Sequence, residues 1–515
     1  MSTDTIDTSD HPIEPPTVPA ATGVPAPAAA DAAVPGEARP GKLPAGAFRA
    51  IALLMASAFT VILNETTMSV ALPPIMDELG VTPTTGQWLT TAFMLTMAVV
   101  IPATGYLINR LGTRGAYLLA MSLFTAGTAL AMIAPGFGVL VTGRVVQATG
   151  TAIMMPLLMT TIMTIVPPHM RGRVMGNVGL VIAAAPALGP TLSGAVLEPL
   201  GWRGVFGVVL PISVLALVAG ALWIRDVSEK DSQHLDPLSL LLTVVAFGGL
   251  VWGLSGLGEG AHAADGTVNP ALPLAAGVVF LGLFVWRQVV RQRTNSALLD
   301  LRTFLERNFR VAIAIMTVAM IAMFGTLIVL PLVLQDAMGL TPLQSGLTVL
   351  PGGLAMGLLG PVVGRWYDRV GPRPLLVPGT VLVTVGIGML AFLHPGTSVL
   401  YVLAAHILLS LGLSAVFTPL FSSALGVLRP HQYSHGSATI NTVQQVAGAA
   451  GTALFIAIMT LRSESLIEDG ASAADAMTTG AGLAFAVGAG VMAVTIGLAT
   501  LIRRPETDGE FHGGH

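Results

Sequence analysis

The chain has 515 residues, 53% of them hydrophobic and only 10% charged, with a mean hydropathy of +0.78. A soluble domain carries about 25% charged residues, so this composition belongs to a polytopic, all-α membrane protein. Cysteine is absent, which excludes disulfide scaffolds, thiolate metal sites and cysteine catalysis. The net charge of −3 says little, because where the charges fall matters more.

Residues 1–46 are Pro/Ala-rich, polar and without periodicity. They are expected to form a disordered tail, not a cleaved signal. Fourteen apolar runs follow, each about long enough to span a bilayer: 49–72, 86–108, 114–134, 138–161, 174–197, 204–224, 238–257, 271–290, 310–334, 345–366, 375–393, 398–426, 438–460 and 478–501. Charge placement supports that set. With the N-terminus in the cytoplasm, only Arg203 and Arg462 fall in outer loops and Arg144 falls inside a run. All other Lys and Arg residues lie in inner loops or tails or at the inner ends of runs. The positive-inside rule therefore puts both termini in the cytoplasm.

Between residues 50 and 72 the first run holds one charge, Glu65. An ionisable group there costs about 2.5–3.5 kcal/mol on insertion scales and marks a functional site by default. The bland alternative is a carboxylate at an outer helix end that reaches water. The fourth run holds Arg144. Glu65 lies seven residues before Leu72, where the first run ends, and Arg144 seven residues after Phe137, where the fourth span enters the membrane. At 1.5 Å per residue both charges sit roughly 10 Å below the outer surface.

The segment Arg291–Arg310 joins the eighth and ninth runs and is basic and polar. It reads as a tether between two halves, with an amphipathic helix at the interface as the alternative. An internal repeat brackets it. After the second run comes Gly105 with Asn109, Arg110, Gly112 and Arg114; after the tenth comes Gly364 with Asp368, Arg369, Gly371 and Arg373. Both read G-x-x-x-[N/D]-R-x-G-x-R and both fall on the inner side. Setting aside runs seven and eight makes the tenth run the second helix of a second six-helix half, a parallel repeat.

Three further motifs carry a resemblance. Leu63–Pro73 (LNETTMSVALP) matches L-D-x-T-x-x-x-V-A-L-P, with Asn64 in place of the Asp and the acid one residue later at Glu65. Arg144 and Gln147 match an R-x-x-Q-G pattern in the fourth run, with Ala148 in place of the glycine and Gly150 two residues further on. Pro186, Gly189, Pro190 and Gly194 in the fifth run match G-x-x-x-G-P-x-x-G-G, with Ala185 and Ser193 replacing two glycines. Together these resemble the major facilitator superfamily, and within it the fourteen-helix drug:proton antiporters of the EmrB/QacA type. The acid at Glu65 is closest in pattern to the lincomycin-resistance branch.

The resemblance implies two six-helix bundles around a central cavity, residues 47–226 and 309–503. Residues 227–308 would supply two extra peripheral helices and the linker, and 504–515 a cytoplasmic tail. It implies that Glu65 and Arg144 form a proton-coupling pair, though Arg144 pairing elsewhere is the alternative. The fifth-run motif would act as a hinge sealing the cavity, against ordinary tight packing. The repeated loops would latch the inward gate, Asn109 more weakly than Asp368 because it lacks the charge. Asn64, Gln147, Gln335, Asn441, Gln444 and Gln445 are candidates to line the cavity.

Met94, Met97, Met154, Met155 and Met159 offer adaptable surface, although most are expected to pack between helices or face lipid. His406 is expected to be a satisfied core histidine, and the C-terminal Phe511–His515 a tail and not a metal site.

The expected function is proton-driven export of amphipathic drugs across a bacterial plasma membrane. The alternative is dedicated export of a single metabolite or self-made antibiotic. The partners are a small amphipathic substrate, protons and the lipid bilayer. A monomer is expected, with no nucleic acid, cofactor or metal. Enzyme chemistry is disfavoured, since neither H-E-x-x-H nor G-x-S-x-G is present.

Overall fold

A computed structural model describes residues 45–227, 236–258, 269–294 and 296–504. Residues 1–44 of the expected N-terminal tail and the Phe511–His515 segment lie outside them, while Ala45 and Gly46 begin the first helix. Among the described residues every regular element is helical, the arrangement that satisfies backbone polar groups without water.

The long helices are α1 (Ala45–Leu79), α2 (Pro83–Met132), α3 (Phe137–Ile165), α4 (Arg171–Trp223), α5 (Pro237–Gly258) and α6 (Ala271–Gln292), followed by α7 (Arg307–Leu332), α8 (Pro342–Val370), α9 (Arg373–Leu390), α10 (Val399–Gly426), α11 (Tyr433–Glu468) and α12 (Ala473–Ala499). All of them, taken unbroken, are long and apolar enough to cross a membrane. Two break internally at glycine: α2 at Gly112 (φ 73°, ψ 173°) and α4 at Gly201 (φ 65°, ψ −176°). Those backbone angles are open chiefly to glycine. Each break leaves two segments, so every one of the fourteen apolar runs falls on its own helical stretch.

Local sequence sets the helix starts. Thr82 and Ser472 accept from the third amide of α2 and α12, and Thr341 forms a reciprocal capping box with Gln344 at α8. Pro83 and Pro342 stand at the first helical positions, where the missing N–H costs nothing.

In the first half α1 packs on α4 and α2 on α3; in the second, α9 packs on α10 and α11 on α7 and α12. The halves meet along α4 against α8 and along α2 against α11. The helices α5 and α6 form a hairpin, and α5 is not peripheral. Its Leu242, Ala246, Phe247, Leu250 and Val251 share an apolar cluster with Ala98 and Ala103 of α2 and Ala438 of α11. Only α6 sits at the edge, burying just Gly277, Phe284 and Gln288. A lipid-facing and a protein-facing surface are equally apolar in a membrane, so composition does not separate the two positions.

The motif-side end of this hairpin is clamped. Arg287 donates to both oxygens of Asp236 at 2.7 Å, and Ser239 donates to the same carboxylate at 2.6 Å. Arg287 thereby holds the Asp236 carboxyl well below the usual carboxylate range, against the opposing effect of burial. Buried Gln288 ties the clamp onward, donating to Ser239 and accepting from the Leu299 amide. The linker holds a five-residue 3-10 turn, Leu301–Leu305, in place of an amphipathic helix. Leu298 and Leu299 anchor it in the α5 cluster.

Candidate functional site

Arg144 is buried on α3, with 1% of its surface exposed. Its Nη1 donates to Gln147 Oε1 at 2.6 Å and to Asn64 Oδ1 at 3.3 Å, and its guanidinium lies 4.0 Å from the Phe93 ring centroid. A desolvated contact of that last kind contributes about 2 kcal/mol. Gln147 in turn donates to Thr128 at 2.7 Å. Asn64, Phe93, Thr128 and Gln147 therefore hold the guanidinium from three helices. Two buried donors keep no protein partner, Asn64 Nδ2 and Arg144 Nε.

Glu65 is half-buried beside this cluster. Among the described residues it makes no hydrogen bond and no ion pair. Arg144 is the charge that acts on it across space, and it acts on Arg144. The motif residue next along α1 meets α4: Gly189 packs directly on Thr66, and Ser193 donates to the Thr67 carbonyl at 3.0 Å. A Cβ at Gly189 would overlap Thr66. Pro186 and Gly194 lie exposed, off this contact, and Pro190 lies on the same helix.

At one end of the bundle the two repeat copies make matched arrangements. Gly112 and Gly371 (φ 80°, ψ −171°) take the same left-handed backbone. Arg114 donates to the Ala221 carbonyl near the end of α4, and Arg373 to the Ile502 carbonyl just past α12, both at 2.8 Å. Asp368 accepts from the Gly172 and Arg173 amides at the start of α4, both at 2.8 Å. Asn109 meets the start of α11: Ser434 donates to its Oδ1 at 2.7 Å, and its Nδ2 lies 3.3 Å from His435 Nε2. Gly364 lies against Gly172, and a Cβ on Gly105 would stand 3.2 Å from His435 Cα. Arg369 is exposed, and Arg110 makes contacts of its own.

The remaining candidates scatter. Asn441 donates to the Ser437 carbonyl of its own helix. Gln335 is half-buried in a π turn, Val333–Ala337, that extends α7, and Gln444 is half-buried on α11. Gln445 lines a separate cavity of 340 Å³ between α2, α5, α7 and α11, with Met94 across from it. Met154 and Met159 are buried in the main core. His406 departs from expectation: its Nδ1 has no hydrogen-bond partner, and its ring packs close against Gly352 of α8.

Phe93, Thr128, Ser434 and His435 were not evident from the motifs. For the first two nothing in the pattern distinguishes them from packing residues. For the partners of Asp368 and Asn109 a second repeat was present: Pro168-His169 precedes Gly172 and Arg173 by the same spacing with which Pro430-His431 precedes Ser434 and His435.

Comparison with known proteins agrees with this architecture. The chain is 37% identical over 418 residues to a lincomycin resistance protein of Listeria monocytogenes, covering 81% of this chain and 88% of that one. It is 38% identical over 411 residues to the Bacillus subtilis lincomycin resistance protein, covering 79% and 84%. It is 31% identical to a multidrug resistance protein B homolog of Mycobacterium tuberculosis, covering 82% and 78%. The fold superposes on the human organic anion transporter MFSD10 with a TM-score of 0.64 at 15% identity, covering 88% of this chain and 100% of that one. It superposes on the proton:xylose symporter XylE with a TM-score of 0.59 at 13% identity, covering 89% and 99%. The profile of the Major Facilitator Superfamily matches residues 54–452, and the chain belongs to that superfamily as a multi-pass protein of the bacterial inner membrane.

Proposed function

We propose that this transporter is a drug:proton antiporter that exports amphipathic drugs or antibiotics. It has fourteen spans, both termini in the cytoplasm, and two bundles, 47–226 and 309–503, separated by the inserted hairpin and linker. The observation that carries the reading is Glu65, an acid inside the membrane that no hydrogen bond pins, beside an Arg144 whose own bonds go to Asn64 and Gln147. Such a carboxylate can take or release a proton without dismantling the network around it.

With the outer side open, Glu65 accepts a proton and its attraction to Arg144 disappears. With the inner side open, it releases the proton and the attraction returns. Inward proton movement supplies about 2.3 kcal/mol per charge per 100 mV, plus any pH gradient. The Asp368 and Asn109 latches close the cytoplasmic side, and the Gly189–Thr66 contact couples α4 to the acidic helix. The relatives named for lincomycin and multidrug resistance support drugs as the cargo.

The test is efflux from proteoliposomes under an imposed pH gradient with a panel of antibiotics and dyes. Export that needs the gradient and Glu65 supports the reading. Gradient-independent flux would replace antiport with facilitated diffusion, and transport of one chemotype alone would indicate a dedicated exporter.

A further inference from the structure

The 340 Å³ cavity at the α2–α11 seam lies toward the end of the bundle opposite the latches and shares no lining residue with the Arg144 cluster. Its size falls within the range of small-molecule sites. Five polar side chains line it: Gln87, Thr90, Thr91, Gln445 and Thr452. Many helical threonines elsewhere in the chain turn their hydroxyls back on their own helix, as Thr96 does to Ala92 and Thr149 to Val145. None of the five makes a hydrogen bond to protein among the described residues, so their donors and acceptors stay available. No charged side chain is among the described lining residues.

Three of the walls belong to the two bundles, and the fourth is α5, through Val251 and Leu254. That helix is fixed in place by the Asp236–Arg287 clamp at one end. Near the other, Trp88 and Trp252 meet edge to face at 6.1 Å. A cavity with unused hydrogen-bonding groups, apolar surroundings and no counter-ion favours a ligand that is polar in places and uncharged, since an ion would be desolvated without compensation. We propose that this cavity is a binding site for an uncharged amphipathic molecule, and that the inserted helix α5 supplies one wall of it. The proposal rests on the exporter reading and assigns part of its substrate recognition to this seam.

The absence of cysteine gives a direct test. Single-cysteine variants Thr452→Cys and Val251→Cys of the full chain are purified in detergent, with Leu283→Cys on the exposed face of α6 as control. Each is alkylated with N-ethylmaleimide with and without N-phenyl-1-naphthylamine, an uncharged amphipath. At about ten times its Kd the probe is expected to slow alkylation at both cavity positions roughly tenfold and leave the α6 position unchanged. Its sulfonated analogue, 1-anilinonaphthalene-8-sulfonate, is expected to protect neither.

Absent protection, or equal slowing at all three positions, overturns the site. Protection at Thr452→Cys without Val251→Cys removes α5 from the wall, and protection by the sulfonate overturns the charge class. The measurement needs no gradient and no transport. Protection without proton-driven efflux would therefore sink the exporter reading alone, and efflux without protection would sink the site alone.

Discussion

Arg144 donates to the Asn64 side-chain oxygen at 3.3 Å, so the residue facing the guanidinium on α1 is the amide and not the acid beside it. Successive helical residues point about 100° apart, and Glu65 is left coupled to Arg144 through space alone. Glu65→Gln is expected to lower gradient-driven export at least roughly tenfold while leaving drug binding in place, because the titrating group is lost and the Asn64–Arg144–Gln147 network is not. Asn64→Asp in the same chain moves a carboxylate onto Arg144, and the double variant is expected to recover part of the coupling. Proton uptake measured alongside drug efflux checks both; undiminished coupling in Glu65→Gln would assign the proton to another group.

The contacts made by the two repeat copies differ in chemistry. Asp368 accepts from two amides with two oxygens. Asparagine there offers one acceptor and sets an NH₂ against an amide donor, besides removing a negative charge from a helix N-terminus. Caps of this kind contribute about 0.5–2 kcal/mol. Asn109 already meets side chains, and aspartate would keep the bond from Ser434. Asp368→Asn is therefore expected to reduce initial export rates more than Asn109→Asp does. Equal losses, measured at matched protein density, would show that the copies do not latch differently.

Much of the fold was legible because a membrane helix announces itself by length and apolarity, and each of the fourteen runs fell on a helical segment. The repeated contacts were legible in part: the glycines and Asp368 follow from a repeat with a backbone reason behind it, whereas the partners at Gly172 and Ser434 lie far away in sequence. The inserted hairpin was the harder case. Val251 and Leu283 are equally apolar, yet one lines a cavity and the other is exposed. The proximity of Arg144 to α1 was expected from matched depth together with the family resemblance, but which of Asn64 and Glu65 it touches depends on helix rotation, which charge spacing does not encode.

The Asp236–Arg287 clamp gives a pH expectation. The Asp236 carboxyl is held below its ordinary value of about 3.9. The stability it contributes is therefore complete above about pH 4 and is lost only as pH falls through the lower folded value. Docking of α5 is expected to be unchanged between about pH 5 and pH 8. Asp236→Asn should lower thermal stability by the equivalent of about 1.5–3 kcal/mol, equally at neutral and mildly acid pH. Melting curves in detergent check this, and a difference that shrinks between pH 7 and pH 5 would mean the carboxyl is not held low.

Substrate charge follows from the count of acids inside the membrane. Of the fourteen apolar runs only the first holds a carboxylate, and Asp336, beyond α7, is exposed. The cavity at the α2–α11 seam adds no charge of either sign among its described lining residues. A dication would meet at most one compensating anion, already engaged with Arg144 across space. Its second charge would then bear a desolvation cost of about several kcal/mol, enough to cut affinity by orders of magnitude. A neutral or singly charged amphipath avoids that cost and gains about 25 cal/mol for each Å² of apolar surface buried. Lipophilic monocations and uncharged or weakly basic antibiotics are therefore expected to be exported well, and rigid dications poorly. Matched pairs of mono- and bis-quaternary dyes, compared by initial efflux rate in proteoliposomes, decide the point. Equal rates within a pair would require a second anion in the substrate path, which this sequence does not supply.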